Sequence, residues 1–230
     1  MSSLVTTLGH RARALTQTGV GQKALLGASG AVWLGFLLLH LYSNLHVFLG
    51  REAMNAYYEE LEAGPAQLWG VRAVLILALA THVATAVTVS RQSLSARRSR
   101  YARFSPVVTS YAARTMRWTG PIVLAYVVYH LLHLTLGMAM PAGLSRDPQD
   151  FYGNVVRSFE VPAVALAYVV ASLALGVHLW HGGASVFQSL GLGDPRTQRA
   201  PRLAVSVLTA LMVLGFVSMP LAVQLGWLAP

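Results

Sequence analysis

The chain has 230 residues, 55% of them hydrophobic and 11% charged, with a mean hydropathy of +0.53. A soluble domain usually carries about 25% charged residues, so the composition excludes a cytosolic globular enzyme and points to one polytopic membrane domain over 1–230. The net charge of +9 is almost all arginine, since Lys23 is the only lysine; it falls between apolar runs with no aromatic-interleaved basic motif, which argues against nucleic acid as a partner.

Charge-free stretches run from Ala24 to Gly50, Ala73 to Ser90, Trp118 to Ser145, Val161 to Gly193 and Leu203 to Pro230. A helix crosses the hydrocarbon with about 20 apolar residues, so five transmembrane helices are predicted, at about 24–49, 68–90, 118–140, 161–189 and 203–227. The second borrows Leu68, Trp69 and Gly70. Pro141 and Gly143 are expected to end the third, and Pro162 suits the first turn of the fourth. Spans must be helical because lipid offers no partner to exposed backbone groups, and nothing alternates as a barrel strand does. The residues before Lys23 lack a short apolar core followed by a small-residue cleavage site, so no cleaved signal peptide is expected.

The N-terminal segment and the second and fourth connections hold thirteen of the basic residues, including Arg11, Arg13, Arg97, Arg98, Arg100, Arg103 and Arg196. The other side holds four, Arg51, Arg72, Arg146 and Arg157, together with seven of the eight acidic residues. The positive-inside rule then places the N-terminus in the cytoplasm and the C-terminus outside, in a bacterial-type inner membrane.

Ionisable or metal-binding residues within spans mark function. These spans hold no carboxylate and no lysine, which leaves an ion-coupled carrier without a proton relay. Histidine remains: His40 in the first span, His82 in the second, His130 and His133 in the third, His178 and His181 in the fourth. At 1.5 Å per residue, His40 lies roughly 25 Å above Lys23 and His130 roughly 20 Å above Arg117. His82 lies roughly 14 Å above Arg91, and His178 roughly 15 Å above Gln188. The depths match His40 with His130 in an outer pair and His82 with His178 in an inner pair. Two imidazoles facing across an apolar gap suit a six-coordinate b-type haem, and helices one apart in sequence can lie diagonally in a four-helix bundle.

Zinc would want its ligands at one depth with carboxylates nearby. With no cysteine, iron–sulfur ligation, thiolate catalysis and thioether-attached haem are excluded within this chain. Ser43, Asn44, Ala78, Ala86 and Gly182 flank the pairs with small side chains, which leave room for a flat cofactor and equally allow close helix packing. His133 and His181 share a face with their neighbours at i+3. Each is open as a second ligand, a propionate or quinone partner, or a packing residue. His46, near the outer surface, and His10, outside the membrane, read as structural.

The strings Lys23-Ala-Leu-Leu-Gly-Ala-Ser29-Gly30, Phe36-Leu-Leu-Leu-His40-Leu-Tyr-Ser-Asn44-Leu, Phe48-Leu-Gly-Arg-Glu-Ala-Met-Asn55-Ala-Tyr57 and Leu68-Trp69-Gly-Val-Arg72 precede further ones. These are Thr119-Gly120, Tyr129-His130-Leu-Leu-His133-Leu-Thr135, His178-Leu-Trp-His181-Gly182 and Phe187-Gln188-Ser-Leu-Gly191. In this order they resemble the cytochrome b membrane-anchor subunit of succinate dehydrogenase and fumarate reductase, in its five-helix, two-haem form.

The resemblance implies an all-α integral membrane bundle holding two haem b groups. It makes His40 and His130 the iron ligands of the outer haem, and His82 and His178 those of the inner one. His178 is preferred to His181 for its distance to Gly182 and to Leu190-Gly191. It further implies a flavoprotein subunit carrying FAD, an iron–sulfur subunit on the cytoplasmic face, and membrane quinone, with menaquinone favoured. A higher oligomer of the complex is compatible with it. The function implied is electron transfer between succinate/fumarate chemistry and the quinone pool in respiratory complex II. The chain offers no catalytic acid, base or nucleophile for the dicarboxylate reaction, so enzyme status belongs to the complex.

In fumarate-reducing relatives a carboxylate in the first outer connection serves menaquinol. Among Glu52, Glu59, Glu60 and Glu62, with Tyr57 and Tyr58, Glu62 is the counterpart by this resemblance, although a solvated loop explains it equally. Some relatives place a proton-carrying glutamate two residues before the fourth-helix ligand; here that position is Gly176, which favours succinate oxidation. Two other classes stay open: a di-haem subunit of a hydrogenase or formate dehydrogenase, and a haem-free transporter.

Overall fold

A computed structural model describes residues 17–95, 111–189 and 199–230. His10, Arg11, Arg13, Arg97, Arg98, Arg100, Arg103, Leu190, Gly191, Asp194 and Arg196 lie outside the described residues. Among those described, every regular element is a helix. Helix α1 spans Gly19–Leu45 and runs on through a 3-10 turn at His46–Leu49. Thr18 caps it, its Oγ1 accepting from the Gly21 N–H at 3.1 Å. Gly50, at φ +100°, turns the chain into α2, Arg51–Glu62. Helix α3 is Pro65–Ser95, with proline at the first helical position, where its missing N–H costs nothing.

Helix α4, Tyr111–His130, continues as a π turn at Leu131–Thr135. It stops at Thr135, short of the expected end near residue 140. Gly137, at φ +69°, carries the chain out of the helix, and a Cβ there would meet Arg146 at 2.8 Å. Arg146 Nε donates to the freed Leu134 carbonyl at 3.0 Å. Helix α5, Phe151–Phe159, follows, then α6, Pro162–Ser189, and α7, Arg199–Gln224.

Among the described residues four helices are long and apolar enough to cross a membrane: α1 with its 3-10 extension, α3, α6 up to Gly183, and α7. Their outward faces are apolar, with Leu39 and Leu77 each 69% exposed and Leu214 66%. An apolar girdle of this extent is a surface for lipid. Trp69 and Trp227 are exposed towards the helix ends, and the Arg72 guanidinium lies 4.9 Å over the Trp69 ring, a pattern of membrane-interface anchors.

Helix α1 packs along α3, α4 along α6, and α6 along α7, while α1 also touches α6 and α7. The α6–α7 seam is close because Gly176 and Gly183, two turns apart, receive Val213 and Val205 of α7. A Cβ at either glycine would come within 2.5 Å and 2.8 Å of those valines. Gly176 therefore serves packing, and any larger side chain there would meet α7.

The short helices α2 and α5 pack on one another over the end of the bundle nearer His40 and His130. Tyr152, Val155, Val156 and Phe159 form the buried stripe of α5, joined by Val47, Met54, Tyr168 and Met219 in one core. Asp150 ties the two helices together. It caps α5 by accepting from the Gly153 N–H at 2.9 Å, accepts from Asn55 at 3.2 Å, and pairs with Arg51 and with Arg157. Desolvation pushes its carboxyl up, but the Gly153, Asn55 and Arg51 hydrogen bonds and the Arg51 charge outweigh it and hold the group below its ordinary value.

Candidate functional site

The structure brings together the pairs that the depth argument matched. The His40 and His130 ring centroids lie 5.6 Å apart at 83°, and those of His82 and His178 lie 6.1 Å apart at 62°. The helices carrying each pair pack mainly on other neighbours, so the imidazoles reach across the bundle from α1 to α4 and from α3 to α6.

At the outer level His40 stacks on Phe36 at 5.3 Å and meets Phe216 of α7 at 6.1 Å. The Tyr168 hydroxyl of α6 lies 3.3 Å from His130 Nδ1 and 2.9 Å from His133 Nδ1. His133 Nε2 lies 3.0 Å from Ser158 Oγ of α5, and the residue is 0% exposed. Both its ring nitrogens are thus taken, so His133 is a hydrogen-bonded core residue with no nitrogen to offer a metal. The π turn widens α4 at this residue, a feature frequent at functional sites.

At the inner level Ser29 of α1 meets His82 Nδ1 at 3.3 Å. Its hydroxyl donates to the Leu25 carbonyl at 2.7 Å. A serine has one hydrogen to give, so Ser29 receives the His82 Nδ1 proton, and His82 Nε2 keeps its lone pair. Gly30 and Gly120 border the ring pair: a Cβ on Gly30 would lie 3.4 Å from His82 Cε1, and one on Gly120 4.0 Å from His178 Cε1. Open space lies beside Gly182. The string Ala28-Ser29-Gly30 thus serves His82, while Ser43 and Asn44 do more than leave room. Ser43 Oγ sits 3.0 Å from the Tyr57 hydroxyl, and Asn44 donates to the His40 carbonyl at 2.6 Å.

His181 Nε2 lies 3.3 Å from Ser185 Oγ. His46 stacks on Tyr57 at 4.3 Å and donates from Nδ1 to the Tyr42 carbonyl. Glu62 is exposed at the end of α2.

Two imidazoles binding one metal from opposite sides, through bonds of about 2 Å, hold their centroids about 6 Å apart. Both pairs have this spacing. His178 Nδ1 and Trp33 Nε1 are buried without a protein partner among the described residues, and a buried unpaired polar group usually signals a missing one. Each level brings one pair of imidazoles together, and no group of three or more His, Asp and Glu converges among the described residues. That donor set fits a metal whose remaining ligands come with a macrocycle.

Residues 88–216 match the succinate dehydrogenase/fumarate reductase transmembrane subunit family. This is more than half of the chain. The chain belongs to this family. The matched part contains His130, His178, α4 and α6, while His40 and His82 precede it. No curated protein and no solved structure matches the chain at a significant level. The protein is a multi-pass membrane subunit of succinate dehydrogenase/fumarate reductase, built as an all-helical bundle.

Proposed function

We propose that the chain is the di-haem cytochrome b subunit of a succinate:quinone oxidoreductase, anchoring the flavoprotein and iron–sulfur subunits and passing electrons between their clusters and membrane quinone, with menaquinone favoured. The observation that carries this reading is the presence of two imidazole pairs, each near 6 Å, in a chain of this family. His40 and His130 would hold the outer haem and His82 and His178 the inner one. Bound haem b supplies reversible one-electron exchange at its iron.

The chain's own residues bind, orient and dry the two sites. Phe36, Phe216 and the Tyr126–Tyr168 contact at 5.2 Å line the outer pair with aromatic surface. Gly30 and Gly120 hold back from the inner pair, and Ser29 presents His82 in the tautomer that can bind a metal through Nε2. In this reading α4 with its π turn is the fifth crossing. The N-terminus is cytoplasmic and the C-terminus outside, as the thirteen basic residues on one side favour.

The test is to add succinate to the purified complex and record the visible spectrum. The reading expects partial or full reduction of b-type absorbance bands, with FAD and iron–sulfur subunits co-purifying. A complex that oxidises succinate with dye but contains no haem contradicts it, as does a chain that co-purifies with a hydrogenase or formate dehydrogenase.

A further inference from the structure

Each imidazole pair contains one histidine held by a hydroxyl from a neighbouring helix: His130 by Tyr168, and His82 by Ser29. Among the described residues no such side-chain hydroxyl meets His178, whose Nδ1 is unpartnered there. The two hydroxyls differ in where their own proton goes. Ser29 gives its proton to Leu25 of its own helix. Tyr168 sits in a chain that runs Ser158, His133, Tyr168, His130, with links of 3.0, 2.9 and 3.3 Å.

That chain has two self-consistent directions, because each neutral imidazole donates from one nitrogen and accepts at the other. In one, Ser158 donates to His133, His133 to Tyr168, and Tyr168 to His130 Nδ1, leaving the His130 proton on Nε2. In the other, every bond reverses: His130 Nδ1 donates to Tyr168, Tyr168 to His133 Nδ1, and His133 Nε2 to Ser158. Only the second leaves His130 Nε2 with a lone pair.

We propose that Tyr168 and Ser29 are positioning residues, one for each level. Each takes the Nδ1 proton of a single histidine, so that His130 and His82 present a bare Nε2 and a strengthened donor to iron. This rests on the di-haem reading above. A ring N–H that donates to a fixed acceptor fixes the tautomer and raises ligand basicity, and a more basic ligand favours the oxidised metal.

The test is potentiometric titration of the haem bands in the whole complex, for wild type, Tyr168→Phe and Ser29→Ala. A His82→Ala background, retaining only the outer haem, assigns the two transitions. Tyr168→Phe is expected to shift the outer midpoint upward and leave the inner one in place. Ser29→Ala is expected to do the reverse, raising the inner midpoint alone and by less, since its bond is long. If Tyr168→Phe fails to assemble, Ser29→Ala, which removes one oxygen, still decides the matter for its level, and His133→Ala tests the outer one. That variant removes the acceptor for the Tyr168 proton and should raise the outer midpoint alone.

Variants in which neither midpoint moves, or in which both move together, overturn the inference while the haem content stands. A wild-type complex without two haems removes the di-haem reading, and this inference with it.

Discussion

The outer and inner levels of the bundle hold equivalent imidazole pairs in different surroundings. The outer pair lies beneath a lid of two short helices, against a core of Val47, Met54, Tyr152, Val156, Phe159 and Tyr168, and its His130 joins a three-bond polar chain. The inner pair has a long hydrogen bond from His82 to Ser29, two bordering glycines and open space beside Gly182. The same ligand set can therefore be held by dense packing at one end and by small residues at the other. The difference predicts an outer site that is dry and fixed, and an inner one that depends on whatever covers it.

The largest expected effect breaks one level and spares the other. His130→Ala should lose the outer haem, about half of the total b-type absorbance, and retain the inner; His82→Ala should do the reverse. Loss of both haems in both variants would show the levels to be one cooperative unit, and loss of neither would end the pairing. His133→Ala should weaken the outer end without removing a ligand. Each buried polar group left unsatisfied costs about 1–3 kcal/mol, so thermal unfolding should occur at lower temperature while two haems remain bound. Unchanged thermal stability would place His133 outside the outer core.

Smaller effects sharpen the contrast at the lid. Asp150→Ala removes the cap of α5 and its ties to Arg51 and Asn55, costing about 1 kcal/mol from the cap alone. Because the Asp150 carboxyl is held below its ordinary value, its contribution is present above the unfolded-state value near 3.8 and is lost as pH falls through the lower folded value. Acid denaturation curves of wild type and Asp150→Asn should therefore converge at the acid extreme and separate towards neutrality. The smallest expected change is Glu62→Gln, which should lower quinone-linked turnover several-fold and leave dye-linked succinate oxidation intact. Equal quinone turnover would return Glu62 to the solvated loop.

Much of the bundle was legible because long apolar helices rise by a fixed amount per residue. Depth alone matched His40 with His130 and His82 with His178 across gaps of many tens of residues. Charge-free stretches do not reveal the lid, because α2 and α5 lie in charged connections. Yet Tyr152, Val155, Val156 and Phe159 carry the i, i+3, i+4, i+7 pattern openly. The early end of α4 was not legible. It follows from the π turn at His133, from the Tyr168 and Ser158 contacts that hold that residue, and from Arg146 packing at Gly137. Ser29 stood within a recognised string, but its purpose depends on a contact with His82, far along the chain. In the sequence Gly176 marks only an absent glutamate, and the α6–α7 seam shows what occupies that space.

The central claim is that each level of this bundle holds one haem. The most direct measurement is a pyridine haemochrome assay on the purified complex, normalised to this polypeptide. The account predicts two b haems per chain. A stable, folded complex with none would contradict it and return all four histidines to packing.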